Sequence, residues 1–276
     1  MSADALALEG LCLGFRLPSG ERIAALGDVS LCVRQGEIYG LVGESGSGKS
    51  TLARCVMGLI RPDRGRIFCQ GREVTGRLPG RRGPVDRQLV FQDAASSLSG
   101  RLRLWEIVSE PLEIQGIGGR RERRALAAEA LEAVGLEAAL LDRRPGELSG
   151  GQCRRAAIAR ALILEPALLA ADEPAAGLDV SVQGQILNLF RDLQRQRGFS
   201  LLLISHDMAA VRAVCQRVGV LHRGRLVEEA PAEELFAHPL HPRTRALLSA
   251  AGMACPETPG EAGHFVLQEE EEEAGP

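Results

Sequence analysis

The chain has 276 residues, of which 45% are hydrophobic and 25% charged, enough to bury a core of ordinary size in one domain or one large domain with a subdomain. Five of its 36 acids form one run, Glu269–Glu273; without it 33 basic residues face 31 acidic ones, so the body is close to neutral and whole-chain charge gives no reason to expect a nucleic-acid binder. Aromatics at 3% argue against a base-stacking surface, the apolar content excludes disorder for most of the chain, and no apolar run approaches the ~20 residues of a membrane span.

The start, MSADALALEG, lacks a basic residue followed by an apolar block, so no signal peptide is expected. Residues 6–42 read as short strands, from the alternation in IAALGDVSLCV and EIYGLV, with Gly36 breaking the run between them. Residues 50–60 read as a helix with Leu52, Val56 and Leu59 on one face, and 66–92 return to strand-like text ending in QLVFQ. From about 93 to 150 the character changes. Arg120 to Gly135 is helical, with Leu126, Ala130, Leu131 and Val134 on one stripe and Gly135 as a stop, and 151–165 form another helix ended by Pro166. Two apolar strands follow, 167–171 and 201–204, separated by a helix with Ile186, Leu189, Phe190 and Leu193 inward and Gly198 at its end. Buried apolar strands alternating with helices indicate a parallel sheet covered on both faces. After about 230 the text is rich in Pro and Ala with one more helix, and the last dozen residues form an acidic tail expected to be disordered.

The seven cysteines, at 12, 32, 55, 69, 153, 215 and 255, are scattered without a CxxC pair and read as free thiols in a reducing cytoplasm, a metal site among them needing unusual folding. The chain holds 32 arginines and one lysine, Lys49. Coding bias accounts for arginine at nearly every basic position but not for the exception, which should need a compact ammonium on a flexible stem.

That lysine lies in GESGSGKST, residues 43–51, which fits G-x-x-x-x-G-K-[ST] with Gly43, Gly48, Lys49 and Ser50 at the required positions, after a strand and before a helix. Glycines let backbone N–H groups close around phosphate oxygens, the helix N-terminus adds a positive dipole end, Lys49 reaches the β- and γ-phosphates and the Ser50 hydroxyl ligates Mg²⁺. The alternative is a glycine-rich turn before a helix. LLAADE at 168–173 places two acids at the end of a buried strand. Asp172 can hold Mg²⁺ through a water, and Glu173 can polarise an attacking water as general base. A helix cap with a first-turn acid before Pro174 is the plainer account. LSGGQ at 148–152 opens a helix with Ser149 and two glycines, which is either an anion site built from N–H groups or a simple capped helix with a flexible entry.

GESGSGKST, Gln92, LSGGQ, LLAADEP, AGLD at 176–179 and His206 occur in the order and rough spacing of an ABC-transporter ATPase subunit, and the resemblance covers about residues 6–250. It implies an α/β fold, with a P-loop NTPase (RecA-like) parallel-sheet core, an N-terminal antiparallel β subdomain and an inserted α-helical subdomain. The implied division is 1–92 and 156–230 for the ATP-binding core with its β subdomain, 93–155 for the helical signature subdomain, 231–255 for a C-terminal family extension and 256–276 for the acidic tail. It implies further that two subunits stack head to tail. Each ATP, with Mg²⁺, then lies between one chain's Gly43, Glu44, Ser45, Gly46, Ser47, Gly48, Lys49, Ser50 and Thr51 and the other's Leu148, Ser149, Gly150, Gly151 and Gln152. Gln92 contacts Mg²⁺ and the attacking water, Asp179 crosses the dimer interface, and His206 meets the γ-phosphate, although a lone histidine at a strand end is also a common core residue. Phe15 fits either an adenine-stacking aromatic or a core residue.

Within the family, residues 90–114 and 235–249 resemble the corresponding passages of oligopeptide, dipeptide and nickel importer ATPases. That resemblance implies separate transmembrane permease subunits, a second ATPase chain (often a paralogue, hence a heterodimer), an extracytoplasmic solute-binding protein and a peripheral position on the cytoplasmic face of the membrane, with no nucleic acid as partner. The rival in the same family is a soluble ATPase acting on nucleic acid or the ribosome. Arg243 stands where an aromatic is usual, Ala94 and Gly100 where proline is, Cys153 and Arg154 replace the common Arg-Gln, and Gly177 replaces alanine. Only Cys255 is available beyond residue 250, so the iron–sulfur cluster of many relatives is not expected. Arg120–Arg124 with Arg101 and Arg103 read as a nucleic-acid patch or, without interleaved aromatics, as a solvated helical surface; Trp105 fits the core or the groove that receives a membrane partner's helix.

Overall fold

The computed structural model describes residues 4–76, 85–92 and 97–253; the acidic run, Cys255 and Ala94 lie outside the described residues. The chain opens with β1 (Leu6–Arg16), β2 (Arg22–Val33) and β3 (Ile38–Val42). After the phosphate loop come α1 (Lys49–Val56), β4 (Arg64–Cys69), β5 (Arg72–Glu73) and β6 (Arg87–Val90). A helical stretch follows: α2 (Leu104–Gln115), α3 (Arg120–Ala133), 3₁₀ turns at Ala138–Leu140 and Pro145–Glu147, and α4 (Gly150–Leu162). The remainder is β7 (Leu168–Asp172), α5 (Val180–Arg197), β8 (Ser200–Ile204), α6 (Met208–Val214), β9 (Arg217–His222), β10 (Arg225–Pro231), α7 (Ala232–Ala237) and α8 (Pro242–Ala250).

Two sheets result. One is antiparallel with strand order β2-β1-β4-β5; the other has order β10-β9-β3-β8-β7-β6, parallel from β9 to β6, with β10 antiparallel at its edge. β3, β7 and β8 are buried at every residue, as a sheet covered on both faces demands. Alternation sorts their side chains. Leu168, Ala170, Leu202 and Ile204 pack with α1 and the antiparallel sheet, while Leu169, Ala171, Leu201 and Leu203 pack with α4 and α5 on the other face. The parallel register aligns Val90 with Ala171, Asp172 with Ile204 and Leu41 with Ile204. The C-terminal ends of β6, β7, β8 and β3 therefore open onto one edge, where ligands bind in open α/β sheets.

The expected mixed fold is present, and the differences are local. The helix after the phosphate loop ends at Val56, not at 60. Gly58 at φ 72° turns the chain, the amides of Leu59 and Ile60 both return to the carbonyl of Arg54, and Leu59 stands 47% exposed, off the predicted face. On α3 the buried stripe contains Ala127, with Leu126 half-buried. Among the described residues the region after 230 holds two helices, because Pro239 interrupts the text and Pro242 restarts it at the first position of α8, where His241 Nδ1 accepts from the amide of Arg243 at 3.1 Å. The opening strands β1 and β2 are 11 and 12 residues long rather than short.

Candidate active site

The phosphate loop is built so that backbone, rather than side chain, faces the cleft. Gly48 caps α1 with φ 108°, and a Cβ there would lie 2.4 Å from the carbonyl oxygen of Ala25. At Gly43 (φ 154°) a Cβ would lie 2.1 Å from the carbonyl oxygen of Leu221. Neither position admits a side chain. Lys49 is 7% exposed and folds over the loop, its Nζ donating to the carbonyls of Gly43 at 2.7 Å and Glu44 at 2.8 Å and lying 3.4 Å from Ser47 Oγ. Burial pulls its pKa below the ordinary lysine value, and the carboxylates of Glu173, Asp172 and Glu44 pull it back.

A cleft of about 560 Å³ runs over this loop. Ser45, Gly46, Gly48, Lys49, Ser50 and Thr51 form its floor; Gln92, Glu173 and His206 line one side, and Phe15 with Ile23 to Ala25 the other. Phe15 and Ile23 pair across β1 and β2 and stand 43% and 48% exposed, an apolar platform in reach of a bound ring. The residues after β2's Arg22 carry no motif, so only the strand pairing reveals Ile23 to Ala25.

The acidic strand end divides into two environments. Asp172 is 7% exposed and its Oδ1 is buried without a hydrogen-bond partner. Burial raises its pKa, Glu173 adds to that, and the Ser50 hydroxyl with Arg54 and Lys49 opposes it. A buried carboxylate oxygen lacking a donor, beside the hydroxyl of Ser50, fits a hard divalent cation. Among the described residues no three His, Cys, Asp or Glu side chains cluster as a metal cage, so such an ion needs Ser50, Gln92 and phosphate oxygens as well. Glu173 sits at φ 49°, its side chain 12% exposed, and accepts from the His206 amide at 3.0 Å with His206 Nδ1 at 2.7 Å. The structure therefore brings Gln92, Asp172, Glu173 and His206 together with the phosphate loop.

It does not bring in the signature residues. Leu148 to Gln152 do not line the cleft. Ser149 caps α4, its Oγ accepting from the Gln152 amide at 3.2 Å while Gln152 Oε1 accepts from the Ser149 amide at 2.9 Å. This reciprocal box leaves Gly150 and Gly151 at an outward-facing helix start. Asp179 is exposed and caps α5, accepting from the Val182 amide at 3.0 Å. Four arginines of the basic group are matched by acids: Asp142 bridges Arg103 and Arg124, Glu113 meets Arg123 and Glu106 meets Arg120, with Arg120 and Arg124 over the Trp105 ring. Trp105 is 5% exposed, as a core residue is, and lines a groove between α2 and α3.

Two features carried no sequence signal. Glu228, wholly buried in β10, accepts from the amides of Leu240 and His241 at 2.9 Å each and from the Thr244 hydroxyl, and so holds α8 in place. α8 then walls a second cavity of about 530 Å³ behind Glu173 and His206, through Leu247, Ala250 and Ala251.

A phosphate-cradling loop, an acidic strand end and a distant serine-capped, glycine-bearing helix start find their counterparts among known proteins. Residues 26–176 match the family model described as ABC transporter. A peptide import ATP-binding protein of Brucella ovis is 47% identical over 247 residues, covering 89% of this chain and 78% of the relative. A peptide ABC transporter ATP-binding protein of Sinorhizobium fredii is 47% identical over 236 residues, covering 85% and 67%. Among solved structures, the dimeric ATP-binding cassette MJ0796 in a post-hydrolysis state with ADP and Pi superposes with a TM-score of 0.73 at 31% identity, covering 82% of this chain and 98% of that one. The cbiO1 protein of Clostridium perfringens, part of the cbiONQ transporter complex, gives 0.74 at 29% identity, covering 85% and 91%. The chain belongs to the ABC transporter family, as one of its ATP-hydrolysing subunits.

Proposed function

We propose that this chain energises uptake of a peptide, nickel or related small solute through separate transmembrane subunits, working at the cytoplasmic face of the membrane as one half of an ATPase pair. The observation that carries the chemistry is the convergence of four strand ends on one cleft: the phosphate loop after β3, Gln92 after β6, Asp172 and Glu173 at the end of β7 and His206 after β8. Loop amides and Lys49 bind the phosphates of ATP, and Phe15 with Ile23 takes the adenine face. Asp172, Ser50 and Gln92 would hold Mg²⁺, which when bound neutralises the charge of the β- and γ-phosphate oxygens. Glu173 accepts the proton of the attacking water. His206, fixed through Nδ1 by Glu173, presents its other ring nitrogen to the γ-phosphate. A partner chain, paralogue or second copy, supplies the signature amides of its own Ser149-type helix start. Support for that arrangement is the separation of this chain's LSGGQ from its own cleft, together with the dimeric state of the MJ0796 cassette it resembles.

Import rests on the names of the relatives and on the passages at 90–114 and 235–249. The groove between α2 and α3, floored by Trp105, is the place we assign to a permease helix. The test has two arms. Glu173→Gln should retain ATP, lose hydrolysis by about 10²- to 10⁴-fold and persist as an ATP-bound dimer on size exclusion; normal turnover would remove Glu173 from the role of base. Capture of the tagged chain from solubilised native membranes should bring two polytopic permeases, a second LSGGQ ATPase and a solute-binding protein, whose ligand then names the cargo. Ribosomal or DNA-repair companions without a permease would overturn transport and favour the soluble nucleic-acid-directed reading.

A further inference from the structure

We propose that Arg154 is a positioning residue through which the signature helix of this chain holds the turn carrying its own Glu173. Arg154 lies one turn behind Gly150 on α4 and is 8% exposed. A buried guanidinium is costly unless its N–H groups are matched. Here Nη1 donates to the carbonyl oxygen of Pro174 at 2.6 Å, a short charge-assisted bond. Pro174 has no N–H, so that carbonyl is the one backbone hydrogen-bonding group it offers. The bond falls on the residue directly after Glu173, whose φ of 49° is a conformation that a non-glycine residue keeps only when its surroundings over-determine it.

Two backbone bonds fix Glu173 from within the core: its amide donates to Ile204 at 2.9 Å and its carbonyl accepts from Ala176 at 3.1 Å. Arg154 adds a tie that originates in a different layer. α4 starts at the exposed LSGGQ and runs inward to pack Ala156, Ile158 and Ala159 in the core. A shift of its outer end on meeting an anion therefore moves the guanidinium, and the Pro174 carbonyl with it, which re-aims the Glu173 carboxylate. This inference rests on the reading above, in which the signature meets the partner's nucleotide while Glu173 acts on the chain's own. Arg154 then links occupancy of one nucleotide site to hydrolysis at the other.

The experiment uses the full chain isolated with its native companions. Arg154→Met keeps an unbranched apolar stem and removes every donor; Arg154→Lys keeps a charge and a donor. For Arg154→Met, kcat should fall about tenfold, ATP KM should stay within about twofold, and the Hill coefficient for ATP should drop towards one. Arg154→Lys should regain more than half of the lost turnover. Wild-type kcat in Arg154→Met overturns the proposal, as does a joint loss of kcat and KM that lysine does not rescue, which marks a merely structural residue. Should Arg154→Met not fold, Arg154→Gln carries the same expectations. Glu173→Gln measured alongside separates the two failures. Normal turnover there rejects Glu173 as base, whereas an inert Glu173→Gln beside an unaffected Arg154→Met rejects the role of Arg154 alone.

Discussion

The phosphate loop and the signature segment are both glycine-bearing helix starts, yet they are built in opposite ways. The first is concave and locked. Gly43 and Gly48 sit against the carbonyls of Leu221 and Ala25, and the chain's one lysine is folded over the loop. The second is outward-facing and capped by itself, with open space around Gly150. A preformed cradle binds its ligand alone; an exposed cap offers amides and a dipole end to something brought to it. The contrast is what a site divided between two chains should look like from one of them.

The largest effect that tests the contrast is at the cradle. Lys49→Ala removes the cation aimed at the phosphates, and ATP turnover should fall by at least about 10²- to 10³-fold with weakened nucleotide binding, measured by steady-state hydrolysis and by titration with a fluorescent ATP analogue. Unchanged turnover would remove the phosphate loop from the chemistry and with it the whole assignment.

Lys49 also shows how much was legible beforehand. Its uniqueness among 33 basic residues and its place between a strand and a helix marked the site before any geometry was known. The strands LLAAD and SLLLI were visible because burial on both faces leaves an unbroken apolar run. What stayed hidden depends on pairing. α2 contains Pro111, which masks a helix in text although its ring is tolerated there. Ile23 to Ala25 reach the cleft only because β2 pairs with β1. Glu228 reads as an ordinary acid until the backbone of Leu240 and His241 is found donating to it, and Arg154 reads only as a departure from the usual Arg-Gln until Pro174 arrives from twenty residues away.

A matched pair of glycine substitutions gives the next effect. Gly48→Ala forces a Cβ onto the Ala25 carbonyl at a φ of 108°, so it should destabilise the chain by roughly 1–3 kcal/mol and lower its melting temperature. Gly150→Ala meets nothing within 4 Å and should leave stability within about 0.5 kcal/mol. Turnover should nonetheless drop about tenfold in the second variant if, as proposed, Gly150 faces a partner's nucleotide, since the added methyl would then obstruct that nucleotide and not this chain's fold. Thermal melts and hydrolysis assays on both variants decide the matter. A Gly150→Ala chain that is stable and fully active would mean that the signature start is only a helix cap.

The smallest effect concerns charge, where the two regions also differ. The cradle buries its one ammonium near Glu173, Asp172 and Glu44, while α2 and α3 in the helical layer pair Arg103, Arg120, Arg123 and Arg124 with nearby acids. Asp142 is the centre of that neutralisation. The hydrogen bond from Arg124, then that from Arg103, holds its carboxyl down at about 2, against an ordinary value of 3.8. A carboxylate depressed in the folded state adds stability above its unfolded pKa and loses it as the pH falls towards the folded one, so the contribution fades between about pH 4 and about pH 2. The group is half exposed, and salt screens it, which keeps the effect small. Asp142→Asn should therefore unfold at a slightly lower urea concentration than the parent near pH 7, with the gap closing as the buffer is taken from about pH 5 to about pH 2, and closing also in about 1 M salt. A gap that persists unchanged across that range would mean that Asp142 acts through shape rather than charge, and that the arginines of the helical layer are left free to seek an anion after all.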